Sequence, residues 1–170
     1  MTLQTRRLPL RAARQTDLQD LFAIFSDLRA MKYWSTAPHE SPERTQKNLD
    51  RLIASAQVRL TYFVIEMDGR AVGTAGMHKE NEIGFLLHPD YWRQGILTEA
   101  MAAIIPHIFT ITDVTELMAD ADPNNAASVG LLKSLGFKET GRAEKTYCIN
   151  DIWSDSVYFA LPRPLDQRPS

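Results

Sequence analysis

The residues with the clearest chemical potential lie between Glu82 and Ala103, in the stretch EIGFLLHPDYWRQGILTEAMAA. Its first residues predict a short apolar strand, Pro89 marks a turn, and the spacing from Thr98 onward predicts a helix. A strand that leads directly into a helix leaves the first N–H groups of the helix without intrahelical partners. These donors and the positive end of the helix dipole suit a phosphate or pyrophosphate group, and Arg93 adds a permanent cation. The pattern predicts an anion pocket for a phosphate-bearing cofactor.

The same residues have a simpler structural interpretation. Trp92-Arg93-Gln94-Gly95 can be an ordinary turn before a buried helix, since a single glycine in a loop has no chemical specificity. The chain contains no GxGxxG and no GxxxxGK[ST], so neither a dinucleotide-binding fold nor a P-loop is indicated. Both interpretations of this loop stay open on these residues alone.

Composition excludes several classes of protein. A chain of 170 residues with a net charge of −2 indicates one domain, without nucleic acid or a membrane as its main partner. Its apolar runs are too short to span a bilayer, and the N-terminus has no apolar signal core, so we expect a cytoplasmic protein. Cys148 is the single cysteine, and the four histidines lack metal-ligand spacing, so neither a disulfide nor a metal is expected. We expect the domain to cover 1–162 and a loose tail to cover 163–170.

The first half of the chain predicts a strand, two helices and an antiparallel meander. The strand at 7–12 contains Pro9, which favours either an edge position or pairing on one side at that residue. A capping box at Thr16 predicts the first helix, and Ser41-Pro42 predicts the start of the second. The runs 62–65, 71–76 and 82–87 predict three strands, the first two joined by the hairpin turn Asp68-Gly69.

The second half alternates helices and strands. The helix from Thr98 contains Pro106, which predicts a kink or an early end. The strand at 116–120 follows a helical crossover and should therefore run parallel to the 82–87 strand. A turn at 122–128 opens a helix that ends at Gly136, and two strands at 145–149 and 156–161 flank Asn150-Asp151.

Four segments in this order carry a family resemblance. They are TRRLPLRAARQTDLQDLF, FLLHPDYWRQGILTEAM, DPNNAASVGLLKSLGF and DIWSDSVYFAL, and they cover nearly the whole chain. The sequence resembles the GNAT superfamily of acetyl-CoA-dependent N-acetyltransferases, most closely the RimJ/RimL type that acetylates ribosomal-protein N-termini. The resemblance implies an α+β fold with a mixed sheet of about seven strands, splayed between the fourth and fifth, and about four helices. The implied order is β-α-α-β-β-β-α-β-α-β-β.

The resemblance also implies which residues hold acetyl-CoA. The family's loop wraps the pyrophosphate with backbone amides, and the splayed strand pairs with the pantetheine arm, which Asn125 also contacts. Asn125 is equally suited to cap the helix that follows it, and both roles can hold at once. The implied cofactor residues are Phe85, Leu86, Leu87, Arg93, Gln94, Gly95, Ile96, Leu97, Thr98, Asn125 and Ser128.

Two positions depart from the family pattern. Arg93 stands where close relatives usually carry glycine, and Leu97 stands where a small residue is usual. If the backbone at Arg93 has a positive φ, arginine costs about 1–2 kcal/mol there. Leu97 can narrow the phosphate site or change the helix packing.

The acetyl transfer implied by the resemblance requires a group that removes a proton from the acceptor amine. Asp120 lies where many relatives place a catalytic glutamate, and Glu82 is the alternative base. Asp120 can instead be a solvated carboxylate at a strand end or in a turn. Leu132 occupies the position of the family's tyrosine acid, so Ser128 is expected to hold the sulfur or to relay a proton, unless it only caps its helix.

The acceptor is predicted to be a primary amine, either a protein N-terminus or a small molecule, that attacks acetyl-CoA directly in a ternary complex. Tyr33, Trp34 and Trp153 are candidate walls of the acceptor pocket, although each can equally belong to the core. The alternative function is a non-catalytic acyl-CoA-binding module. A flavodoxin-like nucleotide binder is disfavoured by the Asp68-Gly69 hairpin. We expect a monomer or a homodimer.

Overall fold

Eight strands form one mixed sheet in the computed structural model of the chain, which describes residues 1–167. Four α-helices accompany the sheet, as expected, and short 3-10 turns lie at Gln15–Asp17, Pro89–Tyr91 and Leu165–Gln167. In chain order the elements are β1 (Thr2–Gln4), β2 (Pro9–Arg11), α1 (Leu18–Phe25), α2 (Pro42–Val58), β3 (Tyr62–Met67), β4 (Arg70–Lys79), β5 (Glu82–Leu87), α3 (Ile96–Ile111), β6 (Glu116–Ala121), α4 (Ala126–Ser134), β7 (Lys138–Ile149) and β8 (Ile152–Pro162).

The sheet is open at its centre. Its strands lie in the order β1-β2-β3-β4-β5-β6-β8-β7. In the described sheet β5 and β6 are the parallel neighbours, and their register contains one pair, Glu82 with Met118. β6 pairs along its whole length with β8 on the other side, from Glu116 to Ala121. The predicted splay is therefore confirmed: the two strands meet near Glu82 and leave a gap beyond it.

Two tight hairpins set the antiparallel register. Asp68 and Gly69 have φ values of 50° and 76°, and Asn150 and Asp151 have φ values of 51° and 63°. Two successive left-handed residues match the right-handed twist of the strands they join. Both turns lie where the sequence predicts them.

The side chains of β5 point alternately to its two faces and pack in two separate hydrophobic cores. Ile83 and Leu87 face the larger core, where Ile104 and Ile108 of α3 are fully buried. Leu86 points to the opposite face and packs in a smaller core together with Leu49 of α2. Helices thus cover both faces of β5, which holds this strand firmly beside the gap.

Several sequence predictions are corrected in detail. The capping box at Thr16 is wrong, because the Asp17 carboxylate accepts the Arg14 N–H at 2.7 Å and starts a 3-10 turn instead. The strand containing Pro9 is not the edge strand, since β1 pairs outside it. Pro9 itself is paired on one side, with Gln4 of β1, as the other expectation for this residue stated. The helix α3 continues past Pro106 to Ile111. Pro106 and Ala102 both lie on its exposed side, where solvent can bond the carbonyl that proline leaves free.

Arg163 extends the ordered chain beyond the expected domain boundary at residue 162. Its side chain is buried and donates hydrogen bonds to the carbonyls of Phe109 at 2.7 Å, Val114 at 2.8 Å and Thr112. These carbonyls end α3 and begin the connection to β6. Residues 168–170 of the expected tail lie outside the described part of the chain.

Candidate active site

The gap between β5 and β6 exposes main-chain groups of β5. The His88 N–H bonds to the Val72 carbonyl at 2.8 Å, and Leu87 pairs with Gly73 in the neighbouring register position. In an antiparallel ladder successive residues alternate in the direction of their main-chain groups. The N–H and C=O groups of Phe85 and Leu87 therefore point away from β4, towards the gap. The Leu87 carbonyl accepts a hydrogen bond from the Trp92 indole N–H at 3.0 Å.

The loop of residues 93–98 turns from the strand to the helix through two left-handed residues. Arg93 has a φ of 59° and Gly95 a φ of 68°. Gly95 is exposed, and the first intrahelical bond joins the Glu99 N–H to the Gly95 carbonyl at 3.0 Å. The amides of residues 96–98 consequently have no partner within the helix. Because Arg93 is not a glycine, its positive φ costs about 1–2 kcal/mol of backbone strain.

A network from the N-terminal segment holds this loop from outside. Glu99, in the first turn of α3, accepts hydrogen bonds from the Thr5 hydroxyl at 2.6 Å, from the Arg7 N–H at 2.8 Å and from Arg7 Nε at 2.6 Å. Arg7 Nη2 also donates to the Gln94 carbonyl at 2.9 Å. The Thr5 hydroxyl, followed by Arg7, holds the pKa of Glu99 at about 2, so the carboxylate stays charged.

The start of α4 forms the opposite mouth of the gap. Asn125 caps this helix: its Oδ1 accepts the Ser128 N–H at 3.2 Å, and its Nδ2 donates to Ser128 Oγ at 2.9 Å. The predicted capping role of Asn125 is thus confirmed. One lone pair on Oδ1 and one N–H on Nδ2 remain for a ligand. Because Ser128 Oγ is an acceptor in this bond, its own proton is free to be donated elsewhere.

Asp120 ends β6 beside the gap and has a partner that the sequence analysis missed. The Tyr147 hydroxyl donates a hydrogen bond to Asp120 Oδ2 at 2.9 Å. Burial and this bond raise the pKa of Tyr147 to about 12, so the hydroxyl keeps its proton. The two residues are 27 positions apart in the chain, and no local pattern connects them.

One cavity of about 720 Å³ joins these features. It extends from the 93–98 loop, through the gap between β5 and β6, to Asp120. Of the predicted residues, the following line it: Tyr33, Trp34, Phe85, Leu86, Leu87, Arg93, Gly95, Ile96, Leu97, Thr98, Asp120, Asn125 and Ser128.

Three predicted residues lie outside the lining of this cavity. Glu82 stands where β5 and β6 meet, with its Oε1 3.5 Å from His78 Nε2. The Gln94 side chain turns back and donates to the Asp90 carbonyl at 3.2 Å. Trp153 lies on the β7–β8 hairpin with 56% of its surface exposed.

The cavity fits coenzyme A on three observations. Unpaired amides and Arg93 lie at its outer end, where the phosphates would bind. The main-chain groups of Phe85 and Leu87 face its middle, where an amide-bearing arm can pair with them. A carboxylate, Asp120, lies at its inner end. Groups of three different kinds therefore follow one another along the cavity. They match the phosphates, the amide-bearing arm and the thioester of acetyl-CoA.

The family follows from a direct match. Residues 7–138 match the family described as the acetyltransferase (GNAT) domain, which is more than three quarters of the chain. The chain belongs to the GNAT acetyltransferase family. The predicted class of enzyme, an N-acetyltransferase, is therefore confirmed, as is the predicted fold, with β1 as an additional strand.

Individual relatives agree with this placement. The chain is 28% identical over 149 residues to an uncharacterized N-acetyltransferase, p20, of Bacillus licheniformis, covering 82% of this chain and 84% of that protein. It is 23% identical to the spermidine N(1)-acetyltransferase of Escherichia coli K12, covering 89% of this chain and 84% of that protein. The solved structure of RimL, a ribosomal L7/L12 alpha-N-protein acetyltransferase in complex with coenzyme A, superposes with a TM-score of 0.84 at 20% identity. It covers 95% of this chain and 98% of RimL. The expected similarity to ribosomal-protein acetyltransferases is thus found in the fold.

Proposed function

We propose that the protein transfers the acetyl group of acetyl-CoA to a primary amine, on a protein N-terminus or a small molecule, by direct attack in a ternary complex. The observation that carries this proposal is the position of Asp120. Its carboxylate lies at the inner end of a cavity whose outer end presents the amides of residues 96–98. A phosphate-binding end and a proton-accepting end in one cavity are what acetyl transfer to an amine requires.

Residues at different positions along the cavity would have different roles in binding and catalysis. The amides of residues 96–98 and Arg93 would hold the phosphates, while Phe85, Leu87 and Asn125 would hold the arm. Acetyl-CoA supplies the acetyl group as an activated thioester. A main-chain N–H of β5 facing the gap can stabilise charge on the carbonyl oxygen, and the Ser128 hydroxyl can donate a proton towards the sulfur.

Asp120 would accept the proton that the amine must lose. An α-amino group has an ordinary pKa near 8, against about 10.4 for a lysine side chain, so it is deprotonated far more easily at neutral pH. This favours an α-amine or a similarly weak base as acceptor. A carboxylate within one water of the nitrogen is sufficient for the transfer.

Similar proteins support both kinds of acceptor. RimL is described as an alpha-N-protein acetyltransferase, and the relative from Escherichia coli acetylates spermidine by its name. Tyr33 and Trp34 line the same cavity, and we propose that they contact the acceptor there. Cytoplasm is the location we expect for this activity. In the described part of the chain no helix is long and apolar enough to cross a membrane.

The test is release of coenzyme A from acetyl-CoA with a panel of amines: peptides that begin with alanine or serine, spermidine, and free amino acids. We expect turnover with at least one member. Asp120→Asn should lower kcat by about 100-fold, the usual scale for removing a general base. A matched control is Asp122→Asn, because Asp122 braces the adjacent turn through the Asn124 N–H at 2.8 Å.

Two outcomes would contradict the proposal at different levels. Binding of acetyl-CoA without turnover of any amine would indicate a non-catalytic acyl-CoA-binding module. If Asp120→Asn turns over as fast as the wild type, the proposed activity stands, but the general base is Glu82 or solvent instead of Asp120.

A further inference from the structure

An irregularity in β7 determines where Tyr147 lies. Ala143 pairs with Ser156 of β8 and Tyr147 pairs with Ser154, so residues 144–146 bulge out opposite Asp155 alone. We call this segment the 144–146 bulge. Bulges of this kind bend a strand and redirect the side chains that follow.

The 144–146 bulge is held by specific contacts. Lys145 has a left-handed φ of 51°, and its N–H donates to Asp155 Oδ1 at 2.9 Å. Thr146 Oγ1 lies 2.6 Å from Ser156 Oγ. A non-glycine residue with positive φ is strained, and the Asp155 carboxylate and the Ser156 hydroxyl of β8 stabilise this conformation.

The result of the bulge is a contact between strands that are not neighbours. β8 lies between β6 and β7, yet the Tyr147 hydroxyl reaches Asp120 Oδ2 on β6 at 2.9 Å. Tyr147 from β7 contacts Asp120, and Tyr158 lies directly opposite it on β8. The charge of Glu82 on β5 acts on Tyr147. Among the described residues, Tyr147 donates a side-chain hydrogen bond to this carboxylate.

We propose that Tyr147 is a positioning residue for acetyl transfer: its hydroxyl fixes Asp120 through Oδ2 and leaves Oδ1 to accept the proton of the acceptor amine. This inference rests on the proposed function. In the step itself the proton moves from the amine nitrogen to Asp120 Oδ1, while the O–H bond of Tyr147 stays intact.

The chemistry of the pair supports positioning rather than proton donation. With a pKa of about 12, Tyr147 is a poor acid at neutral pH. Its only proton is already donated to Asp120 Oδ2. A hydrogen bond to a carboxylate favours its charged form, which is the form that accepts a proton.

The experiment compares Tyr147→Phe with the wild type in coenzyme A release, using acetyl-CoA and the best amine of the panel. We expect kcat to fall about tenfold while the KM for acetyl-CoA stays within about twofold, because one charge-assisted hydrogen bond is lost far from the phosphates. Tyr158→Phe removes the same hydroxyl from the residue opposite Asp120 and should change neither kcat nor this KM.

A second measurement does not depend on turnover. The chemical shift of the Asp120 side-chain carboxyl carbon is measured by NMR at neutral pH without substrates. It should differ between Tyr147→Phe and the wild type, because the carboxylate loses the hydrogen bond from Tyr147. Asp155→Ala, which removes the acceptor that holds the 144–146 bulge, should change it in the same direction.

The outcomes separate the two proposals. If the wild type turns over an amine but Tyr147→Phe matches it in kcat, the positioning role is overturned and the proposed function stands. If the wild type turns over no amine, the proposed function fails and the catalytic role of Tyr147 fails with it, whatever the NMR measurement shows. An unchanged carboxyl chemical shift in Tyr147→Phe overturns the positioning role independently of either.

Discussion

Glu99→Gln should destabilise the protein at neutral pH and lose most of that effect in acid. A pKa held at about 2, against the ordinary 4.5, corresponds to at most about 3.4 kcal/mol of folding free energy. Arg7 is 40% exposed and the Glu99 side chain 19%, so solvent screening reduces this to about 1–2 kcal/mol. Urea unfolding at about pH 7 should show that loss, equivalent to a decrease of about 2–8 °C in Tm.

The sign of the pH dependence follows from the direction of the shift. A carboxylate with a depressed pKa stabilises the folded state above its ordinary pKa and loses this contribution as the pH falls towards the folded-state value. For Glu99 the window lies between 4.5 and about 2. The difference between wild type and Glu99→Gln should therefore shrink by more than half at about pH 3.

Glu139→Gln is the matched control for this prediction. Its carboxylate forms an ion pair with Arg142 at 2.6 Å, the same distance as Glu99 with Arg7, but the Arg142 side chain is 61% exposed. We expect no resolvable change in its urea midpoint. The reasoning is refuted if Glu99→Gln unfolds at the wild-type midpoint near pH 7, or if its deficit is equally large at about pH 3.

Three further substitutions test other parts of the molecule. Arg163→Ala removes the hydrogen bonds that the Arg163 side chain donates to the carbonyls of Phe109, Val114 and Thr112. It should lower the unfolding free energy, measured in urea, by about 2–4 kcal/mol, and wild-type stability would show that these hydrogen bonds are dispensable. Arg93→Asn suits the left-handed backbone better and should raise the unfolding free energy by up to about 1 kcal/mol, while calorimetry should show weaker coenzyme A binding. Unchanged affinity would remove Arg93 from the phosphate end. Asn125→Ala should lower the unfolding free energy by about 1 kcal/mol and weaken the binding of coenzyme A. Asn125→Ser should restore the stability but not the affinity. If it restores both, Asn125 has a capping role alone.

Local chemistry was enough to predict most of the fold. Hairpins at Asp68-Gly69 and Asn150-Asp151 depend on residues that tolerate left-handed backbone, and this tolerance is visible in the sequence. The strand β1 was missed because three residues carry no periodicity, and only their pairing with β2 defines them. The capping box at Thr16 failed for a related reason. Asp17, which also binds Arg11 at 2.8 Å, accepts the Arg14 N–H, so the turn begins two residues before Thr16.

Some parts of the candidate site could also be predicted from the sequence and others could not. The loop around Gly95 and the cap at Asn125 are each formed by a short continuous segment, so their geometry could be predicted from residue type. Tyr147 could not be found, because it reaches Asp120 only through a bulge in a strand that is not adjacent to β6. The Glu99 network was equally hidden, since Arg7 lies 92 residues away in the chain.

The position of β8 has a consequence for biosynthesis. This strand is made after β7 but is inserted between β6 and β7, and Arg163 directly follows it. Until residues 152–163 have left the ribosome, β7 has no neighbour to pair with, the 144–146 bulge has no Asp155 to hold it, and α3 lacks its carbonyl cap. A nascent chain that ends at β7 therefore has the half of the cavity that we propose to bind phosphate but not the ordered half that we propose to accept the proton. We expect activity to emerge late in synthesis.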